Sequence, residues 1–262
     1  MKIGLVSSYM PPIGIDTSRF RPATPEERRV ARTRLGLPLD TKLVLFAGRL
    51  VEKKGLPIVI QASRRLPMAH VLVLGDGPLR SLLPDAAPNI TWCRGVSADR
   101  MHECYRAADC LLLPSHGEGL PLVVQEAMAS GLPVVISEDE PYAESLIPLD
   151  VCVAAPRTAD AMARRVREVL TGGGMESLGA RARSFAEERW SVNTMVNRYG
   201  ALLEDLTAAT RGYPEVRAVR PALGPAECLF DPRPSPIREA ASQTGRRAVE
   251  RGSVSAARGR ET

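Results

Sequence analysis

Short apolar segments that alternate with helical segments constrain the fold of this chain more than any other feature of its sequence. Near-continuous apolar strands between helices are typical of a parallel sheet that helices cover on both faces. The sequence therefore predicts an α/β fold with a single parallel sheet. The predicted strands are Leu43–Ala47, His70–Leu74, Ile90–Cys93, Cys110–Leu113, Pro133–Ile136 and Val151–Ala154. The predicted helices are Leu56–Leu66, Ala98–Ala107, Pro121–Ser130, Ala159–Leu170, Glu176–Arg189 and Val192–Leu206, preceded by a short surface helix over Pro25–Leu35 with Leu35 facing inward.

The loop that follows the first predicted strand is basic and glycine-bounded. Ligands of such sheets bind beyond the carboxyl ends of the strands, which makes these loops the candidate sites. The loop runs from Gly48 to Gly55 and places Arg49 and Lys54 five positions apart. A planar guanidinium and a compact ammonium aimed at one spot suit a diphosphate, particularly one that departs as an anion. A solvated basic loop is the alternative, and the order of a Walker loop is absent.

A second loop, after strand His70–Leu74, contains Gly75, Asp76, Gly77 and Pro78. The two glycines permit a close approach of another backbone. A dinucleotide-binding fingerprint would need a third glycine near the position of Arg80. An ordinary tight turn is therefore an equally good interpretation of this loop.

The stretch Pro114–Gly131 combines the end of a predicted strand, a polar loop and the start of a helix. Pro121 suits the first helical position, and the N–H groups of Leu120–Val123 would favour a negative group. Glu118 and Glu126, eight positions apart, offer acceptors for sugar hydroxyls on different parts of one elongated ligand. The stretch indicates a ligand that is anionic at one end and rich in hydroxyls elsewhere, such as a nucleotide sugar. A helix-dipole carboxylate and a solvated helix face are the alternatives for the two glutamates.

His116, in the same loop, admits three interpretations: a positioning group, a base or a plain loop residue. The cysteines lie singly, which predicts reduced thiols and no metal site. No run reaches the ~20 apolar residues of a membrane helix, and the opening segment lacks a signal-peptidase site, so we expect a cytoplasmic location. The five cysteines are Cys93, Cys104, Cys110, Cys152 and Cys228.

The net charge of +5 is concentrated at the end of the chain, where residues 211–262 hold ten Arg against six Asp or Glu. This distribution, with 4% aromatic residues, does not favour a nucleic-acid groove on the folded part. Pro, Gly, Ser, Ala and Arg dominate the region, and we predict a disordered tail over residues 209–262. A weaker hypothesis gives this tail a peripheral contact with membrane surfaces or acidic partners.

Taken in order, these segments resemble the retaining glycosyltransferases of family 4, which have two Rossmann domains in the GT-B arrangement. The resemblance covers about Ile13–Leu206 and depends on several motifs that occur in sequence. The motifs are G-I-D-T-x-x-F-x-P at Gly14–Pro22, G-R-L-x-x-x-K-G at Gly48–Gly55, G-D-G-P at Gly75–Pro78, A-D-x-x-x-x-P-S at Ala108–Ser115, and E-G-x-P…E with Glu118 and Glu126. The resemblance implies a single Rossmann-like parallel sheet, the donor half of a GT-B fold, over residues 42–208.

The resemblance also implies roles for individual residues. Arg49 and Lys54 would hold the diphosphate and stabilise the leaving nucleotide, Glu118 would contact the donor sugar, and Glu126 would bind the ribose hydroxyls. Transfer would proceed with retention and without an essential metal or other cofactor. The remaining donor-binding positions, which line the nucleotide sugar mainly through their backbone, are Gly48, Gly75, Gly77, Gly119, Leu120, Pro121 and Leu122.

The sequence also departs from the family pattern. Met1–Pro12 looks like the family's opening strand and loop and joins directly to the interdomain segment, so residues 1–41 are interpreted as a remnant and most of the acceptor domain as missing. Ile13 stands where the family usually has Asn, and Glu140-Pro141 stand where many members have Gly-Gly.

Two hypotheses follow from this pattern. The first is transfer of a hexose from a UDP- or GDP-sugar to an unknown acceptor, which would be a sugar, a lipid or a small molecule. The second is a non-catalytic nucleotide-sugar-binding remnant, or a half-enzyme whose acceptor domain is supplied by a partner chain.

Overall fold

The computed structural model describes residues 13–84 and 86–210. The predicted opening strand at Lys2–Ser8 lies outside these residues, as does the predicted tail except for residues 209 and 210, which end the last helix. Cys228 is also outside them. No helix within the described ranges is both long and apolar enough to cross a membrane.

The described residues form six strands and eight α-helices. The strands are β1 Lys42–Ala47, β2 Ala69–Leu74, β3 Ile90–Cys93, β4 Cys110–Leu113, β5 Val134–Ser137 and β6 Val153–Ala155. The helices are α1 Pro25–Arg34, α2 Leu56–Ser63, α3 Met101–Ala107, α4 Leu122–Ala129, α5 Pro141–Leu146, α6 Ala159–Thr171, α7 Met175–Trp190 and α8 Val192–Thr210. Single 3₁₀ turns cover Glu52–Lys54, Pro78–Leu82 and Ile147–Leu149.

The strands form one sheet in the order β3-β2-β1-β4-β5-β6, and every neighbouring pair is parallel. The predicted Rossmann-like parallel sheet is therefore confirmed. The order reverses between β1 and β4, whose carboxyl ends diverge into loops on opposite sides. Such a switch point opens a crevice at the carboxyl edge of the sheet.

The central strands are buried on both faces, which is why they lack the alternation of a half-exposed strand. Leu43, Val44, Leu45 and Phe46 of β1 and Leu111 of β4 are fully buried. This apolar core fixes the register of the strands, and thereby the heights at which the loops leave the sheet.

The structure corrects two helix predictions and confirms a third. Helix α3 begins at Met101 rather than Ala98, because a turn in which the Arg100 amide donates to the Ser97 carbonyl precedes it. Helix α5 was not predicted, since its six residues are too short to show a helical period. The surface helix α1 is confirmed, and a capping box between Thr24 and Glu27 begins it.

Candidate functional site

The loops after β1, β2 and β4 meet at the carboxyl edge of the sheet, as the parallel arrangement requires. The Leu50 amide donates to the Asp76 carbonyl at 2.9 Å and joins the first two loops. The His116 amide donates to the Lys53 carbonyl at 2.8 Å and joins the first loop to the third. The segments that the sequence singled out separately are thus one structural unit.

The glycines of the second loop are required by the first loop. A Cβ atom on Gly75 would lie 1.9 Å from the carbonyl oxygen of Gly48, and one on Gly77 would lie 2.5 Å from that of Leu50. A heavy atom cannot occupy either position without moving the backbone. The predicted close approach is therefore made by a neighbouring loop of the same chain.

Glu118 lies between two lysine ammonium groups. Its carboxylate oxygens are 3.1 Å from Lys54 Nζ and 3.2 Å from Lys53 Nζ. The side chains of Glu118 and Lys54 are only 12% and 14% exposed, so their ion pair is less screened by solvent than a surface pair. The structure therefore brings Glu118 and Lys54 together and adds Lys53, to which the sequence gave no site role.

Arg49 and His116 project into solvent from the same loops. Both side chains are exposed and make no hydrogen bond or ion pair with any residue in the described ranges. Arg49 is thus a free donor at the edge of the crevice and does not contact Lys54 or Glu118. His116 has no partner that would orient it as a base.

Helix α4 begins at Leu122, and Pro121 is the N-cap residue with φ −67° and ψ 137°. The prediction of Pro121 at the first helical position was therefore wrong by one residue, because its ψ remains extended. The backbone amides of Gly119, Leu120, Leu122 and Val123 find no acceptor among the described residues. Unpaired amides at a helix start attract negative groups.

Glu126 lies within α4 and is buried rather than solvated, at 8% exposure. Its Oε2 accepts a 2.7 Å hydrogen bond from the hydroxyl of Tyr105 on α3. Burial raises the pKa of Glu126, and the Tyr105 hydrogen bond partly opposes that rise. The structure does not join Glu126 to Arg49, Lys54 or Glu118, so its predicted ribose contact stays a prediction.

Comparison of the sequence with protein-family models identifies the family of this chain. Residues 27–188 match the model of the family described as glycosyl transferases group 1, which includes β1, β4, α4 and all three loops. The chain belongs to this family.

One similar relative is the GDP-mannose-dependent monoacylated alpha-(1-6)-phosphatidylinositol monomannoside mannosyltransferase of Corynebacterium glutamicum. It is 29% identical over 209 residues, which cover 74% of this chain and 55% of the relative. This chain thus spans about half the length of that relative.

Two solved structures share the fold. Sucrose-phosphate synthase from Thermosynechococcus elongatus matches with a TM-score of 0.67 and 25% identity, over 77% of this chain and 53% of that one. Anabaena Alr3699/HepE, solved in complex with UDP, matches with a TM-score of 0.65 and 21% identity, over 73% and 56% of the two chains.

Besides Lys53, two residues without a predicted site role contact the site loops. Arg157, after β6, donates from Nε to the Pro114 carbonyl at 2.9 Å and from Nη2 to the Glu52 carbonyl at 3.2 Å, and so ties two site loops together. Glu140 is buried and accepts a 2.9 Å hydrogen bond from the Glu118 amide. Neither belongs to a recognisable local motif, although Glu140 had been noted as a departure from the family pattern.

In the described ranges, no three His, Cys, Asp or Glu side chains lie close enough together to hold a metal ion. Four free cysteines are described, and Cys104 is buried on α3, where burial raises the pKa of its thiol to about 12. Such a thiol is poorly nucleophilic at neutral pH. The described part of the site presents Lys, Arg and Glu side chains and backbone amides.

Proposed function

We propose that this chain forms the donor-binding half of a retaining glycosyltransferase of family 4, which transfers a hexose from a UDP- or GDP-sugar to an acceptor. The observation that carries the proposal is the Lys53–Glu118–Lys54 cluster beside unpaired amides at the start of α4. The cluster combines positive charge for a diphosphate with a carboxylate for sugar hydroxyls. The relative named for GDP-mannose and the fold relative solved with UDP support this ligand class.

The diphosphate binds where positive charge is available without displacing a buried group. Arg49 is exposed and unpaired, and the stem of Lys54 covers Gly48 while its ammonium group reaches Glu118. When the bond between sugar and phosphate breaks, negative charge develops on the leaving nucleotide. This charge is stabilised by Arg49, Lys54 and the amides of Gly119, Leu120 and Leu122. These groups take the place of a divalent metal ion.

The carboxylates orient the two ends of the donor. Glu118 accepts hydrogen bonds from the hexose hydroxyls, and the two lysines compensate its charge before the donor arrives. Glu126, which Tyr105 holds through its hydroxyl, accepts bonds from the ribose hydroxyls. Gly75 and Gly77 shape the turn that borders the nucleotide, since their bare backbone allows the first two loops to pack together.

Isothermal titration with UDP, GDP and their sugars tests this proposal. Arg49→Ala should lower nucleotide affinity by about tenfold or more, because it removes a charged hydrogen bond to phosphate. Arg29→Ala is the matched control, since Arg29 is also exposed and lies on α1, whose Arg28 and Arg32 bind Asp109 at the amino end of β4. Binding should also persist in EDTA.

Equal affinity of the wild type, Arg49→Ala and Glu126→Ala would reject the site assignment. A strict need for a divalent metal would reject the metal-free part of the proposal. If an active chain is found, the anomeric configuration of the product, read by NMR, decides between retention and inversion. We also propose a cytoplasmic location, where the nucleotide-sugar donor and reduced thiols coexist, and cell fractionation tests it.

A second candidate function is a nucleotide-sugar-binding half that needs a separately supplied acceptor domain. The described residues form one sheet, whereas the chain matches only about half the length of its relatives. A two-domain cleft positions the acceptor and excludes water, and both effects contribute to rate. Transfer by the purified chain alone would exclude this candidate, and transfer only after addition of a relative's first domain would favour it.

A further inference from the structure

Glu140 is the one buried member of an acidic run. It follows Glu138 and Asp139, which are both exposed, yet only 1% of its own surface is accessible. Glu140 is the N-cap residue of α5, but its side chain does not cap that helix. Pro141 holds it in an extended conformation with φ −85° and ψ 132°. The carboxylate is therefore directed away from its own helix and into the molecule.

Three hydroxyl-bearing side chains near the ends of β4 and β5 are buried as Glu140 is. Ser115 follows β4, Ser137 ends β5 and Tyr142 lies on α5, and all three are at least nine-tenths buried. The Tyr142 hydroxyl interacts with Ser115, whereas Ser137 Oγ and Glu140 Oε1 have no hydrogen-bond partner among the described residues. Burial raises the pKa of the Tyr142 hydroxyl, so this group stays protonated and remains a donor.

No described basic side chain forms an ion pair with Glu140. A buried carboxylate without a cation is expensive, and replacing it with an apolar side chain would remove that cost. The one hydrogen bond that it does make connects its Oε2 to the backbone amide of Glu118 at 2.9 Å. An arrangement that is poor for stability but specific in its single contact indicates a positioning role.

Glu118 is consequently fixed at three points. Its amide donates to Glu140, and its two carboxylate oxygens face Lys53 and Lys54. The two lysine contacts alone would leave the loop some freedom to move, because both lysine side chains are long and flexible. The backbone contact to a buried, proline-fixed carboxylate removes that freedom.

We propose that Glu140 is a positioning residue that sets the orientation of Glu118 toward the sugar end of the donor. The inference rests on the proposed function for its ligand, but the contact itself does not. The diphosphate end of the site depends on Arg49 and Lys54, which Glu140 does not touch. Loss of Glu140 should therefore affect recognition of the sugar more than recognition of the nucleoside diphosphate.

Two measurements on the full chain test this role. Amide hydrogen exchange of Glu118, followed by NMR without ligand, should become about tenfold faster or more in Glu140→Ala, because a hydrogen bond to a charged acceptor is lost. Glu140→Gln keeps a carbonyl acceptor and should restore most of the protection. Glu138→Gln is the matched control, since that neighbouring carboxylate is exposed and makes no described contact.

The second measurement compares affinities for a nucleotide sugar and for the same bare nucleoside diphosphate. Glu140→Ala should lose the extra affinity that the sugar provides, while affinity for the diphosphate stays within about twofold of the wild type. If Glu140→Ala fails to fold, Glu140→Asp serves instead, because its shorter side chain keeps the charge but withdraws the acceptor from the Glu118 amide.

Unchanged Glu118 exchange in both Glu140→Ala and Glu140→Asp would overturn the inference, as would an equal loss of affinity for both ligands. If the wild type binds neither UDP, GDP nor their sugars, the proposed function fails. The exchange rates then decide by themselves whether Glu140 positions the Glu118 loop.

Discussion

Polar groups are paired differently at the two edges of the sheet, the amino edge where the strands begin and the carboxyl edge where they end. At the amino edge, Asp109 is buried and accepts hydrogen bonds from Arg28 at 2.6 Å, from Arg32 at 2.7 Å and from the Leu43 amide at 2.7 Å. Arg32 is buried too, and its Nε and Nη1 donate three hydrogen bonds to backbone carbonyls. Every charge in this network has partners, as a buried ionic network requires.

At the carboxyl edge the pairing is incomplete. Among the described residues, Ser137 Oγ and Glu140 Oε1 are buried without a hydrogen-bond partner, and the amides at the start of α4 find no acceptor. Unsatisfied polar groups cost stability and are rare where only folding matters. The Asp109 network therefore stabilises the sheet at its amino edge, although Arg106 Nε nearby is buried without a partner among the described residues, and we infer that the unpaired groups at the carboxyl edge serve the proposed ligand.

The largest effect on stability should come from the amino edge. Asp109→Ala leaves two arginine charges and one buried amide without their acceptor, and we expect it to lower the free energy of unfolding by about 3–5 kcal/mol. Urea denaturation followed by circular dichroism measures this change. The exposed pair between Asp160 and Arg65 provides the control, because Asp160→Ala should cost less than about 1 kcal/mol.

The comparison would be broken if Asp109→Ala were no more destabilising than Asp160→Ala. It would also be broken if the folded fraction of Asp109→Ala lost nucleotide affinity, since the amino edge is expected to have no part in binding.

Asp109 also shows how far the sequence could lead. It shares the motif A-D-x-x-x-x-P-S with Ser115, and the apolar run between the two residues correctly predicts the strand Cys110–Leu113. Only the folded chain shows that β4 crosses the whole sheet between them, so that one motif contributes a stabilising group at one edge and a site group at the other. The spacing of motifs predicts the order of the elements along the chain, but not which residues will contact the two ends of a strand.

The second prediction concerns the packing of the site loops. Gly75→Ala would place a methyl group 1.9 Å from the Gly48 carbonyl at a φ of +139°, and we expect a loss of about 1–3 kcal/mol of stability together with weaker nucleotide binding. Gly95→Ala is the control, since nothing lies within 4 Å of its added Cβ. Equal melting temperatures for the two variants would show that the loops adapt more easily than their contacts indicate.

The close packing of the site glycines is easier to predict from the sequence than the contacts of Glu140 and Arg157. Gly75 and Gly77 stand in a short motif, and their close packing follows from local geometry. Glu140 and Arg157 act across the sheet on the loop after β4, over sequence separations of 22 and 43 residues. Contacts of that range depend on register and side-chain direction, which no local pattern encodes.

The third prediction is a pH effect at Glu126, which lies between the two edges. Because burial raises its pKa above the ordinary value near 4.5, the folded state holds the proton more tightly than the unfolded state. Its ionisation should therefore lower stability as the pH rises from about 4.5 through the raised pKa. Glu126→Gln should remove this decline, and thermal melts between pH 4 and 7 test it. A decline unchanged in Glu126→Gln would assign it to another group.

The smallest effect on stability should come from Lys54→Ala. Its ion pair with Glu118 is 3.1 Å long, but Lys53 remains to compensate the carboxylate. We therefore expect a loss of about 1 kcal/mol, more than an exposed pair contributes but less than a buried pair that loses its only partner, with a clear fall in nucleotide affinity measured by titration. Lys42→Ala is the control, since Lys42 is exposed at the amino end of β1 and should change neither quantity. A large loss of stability without a change in affinity would make Lys54 a structural residue like Asp109, and the two edges would then no longer divide folding from binding.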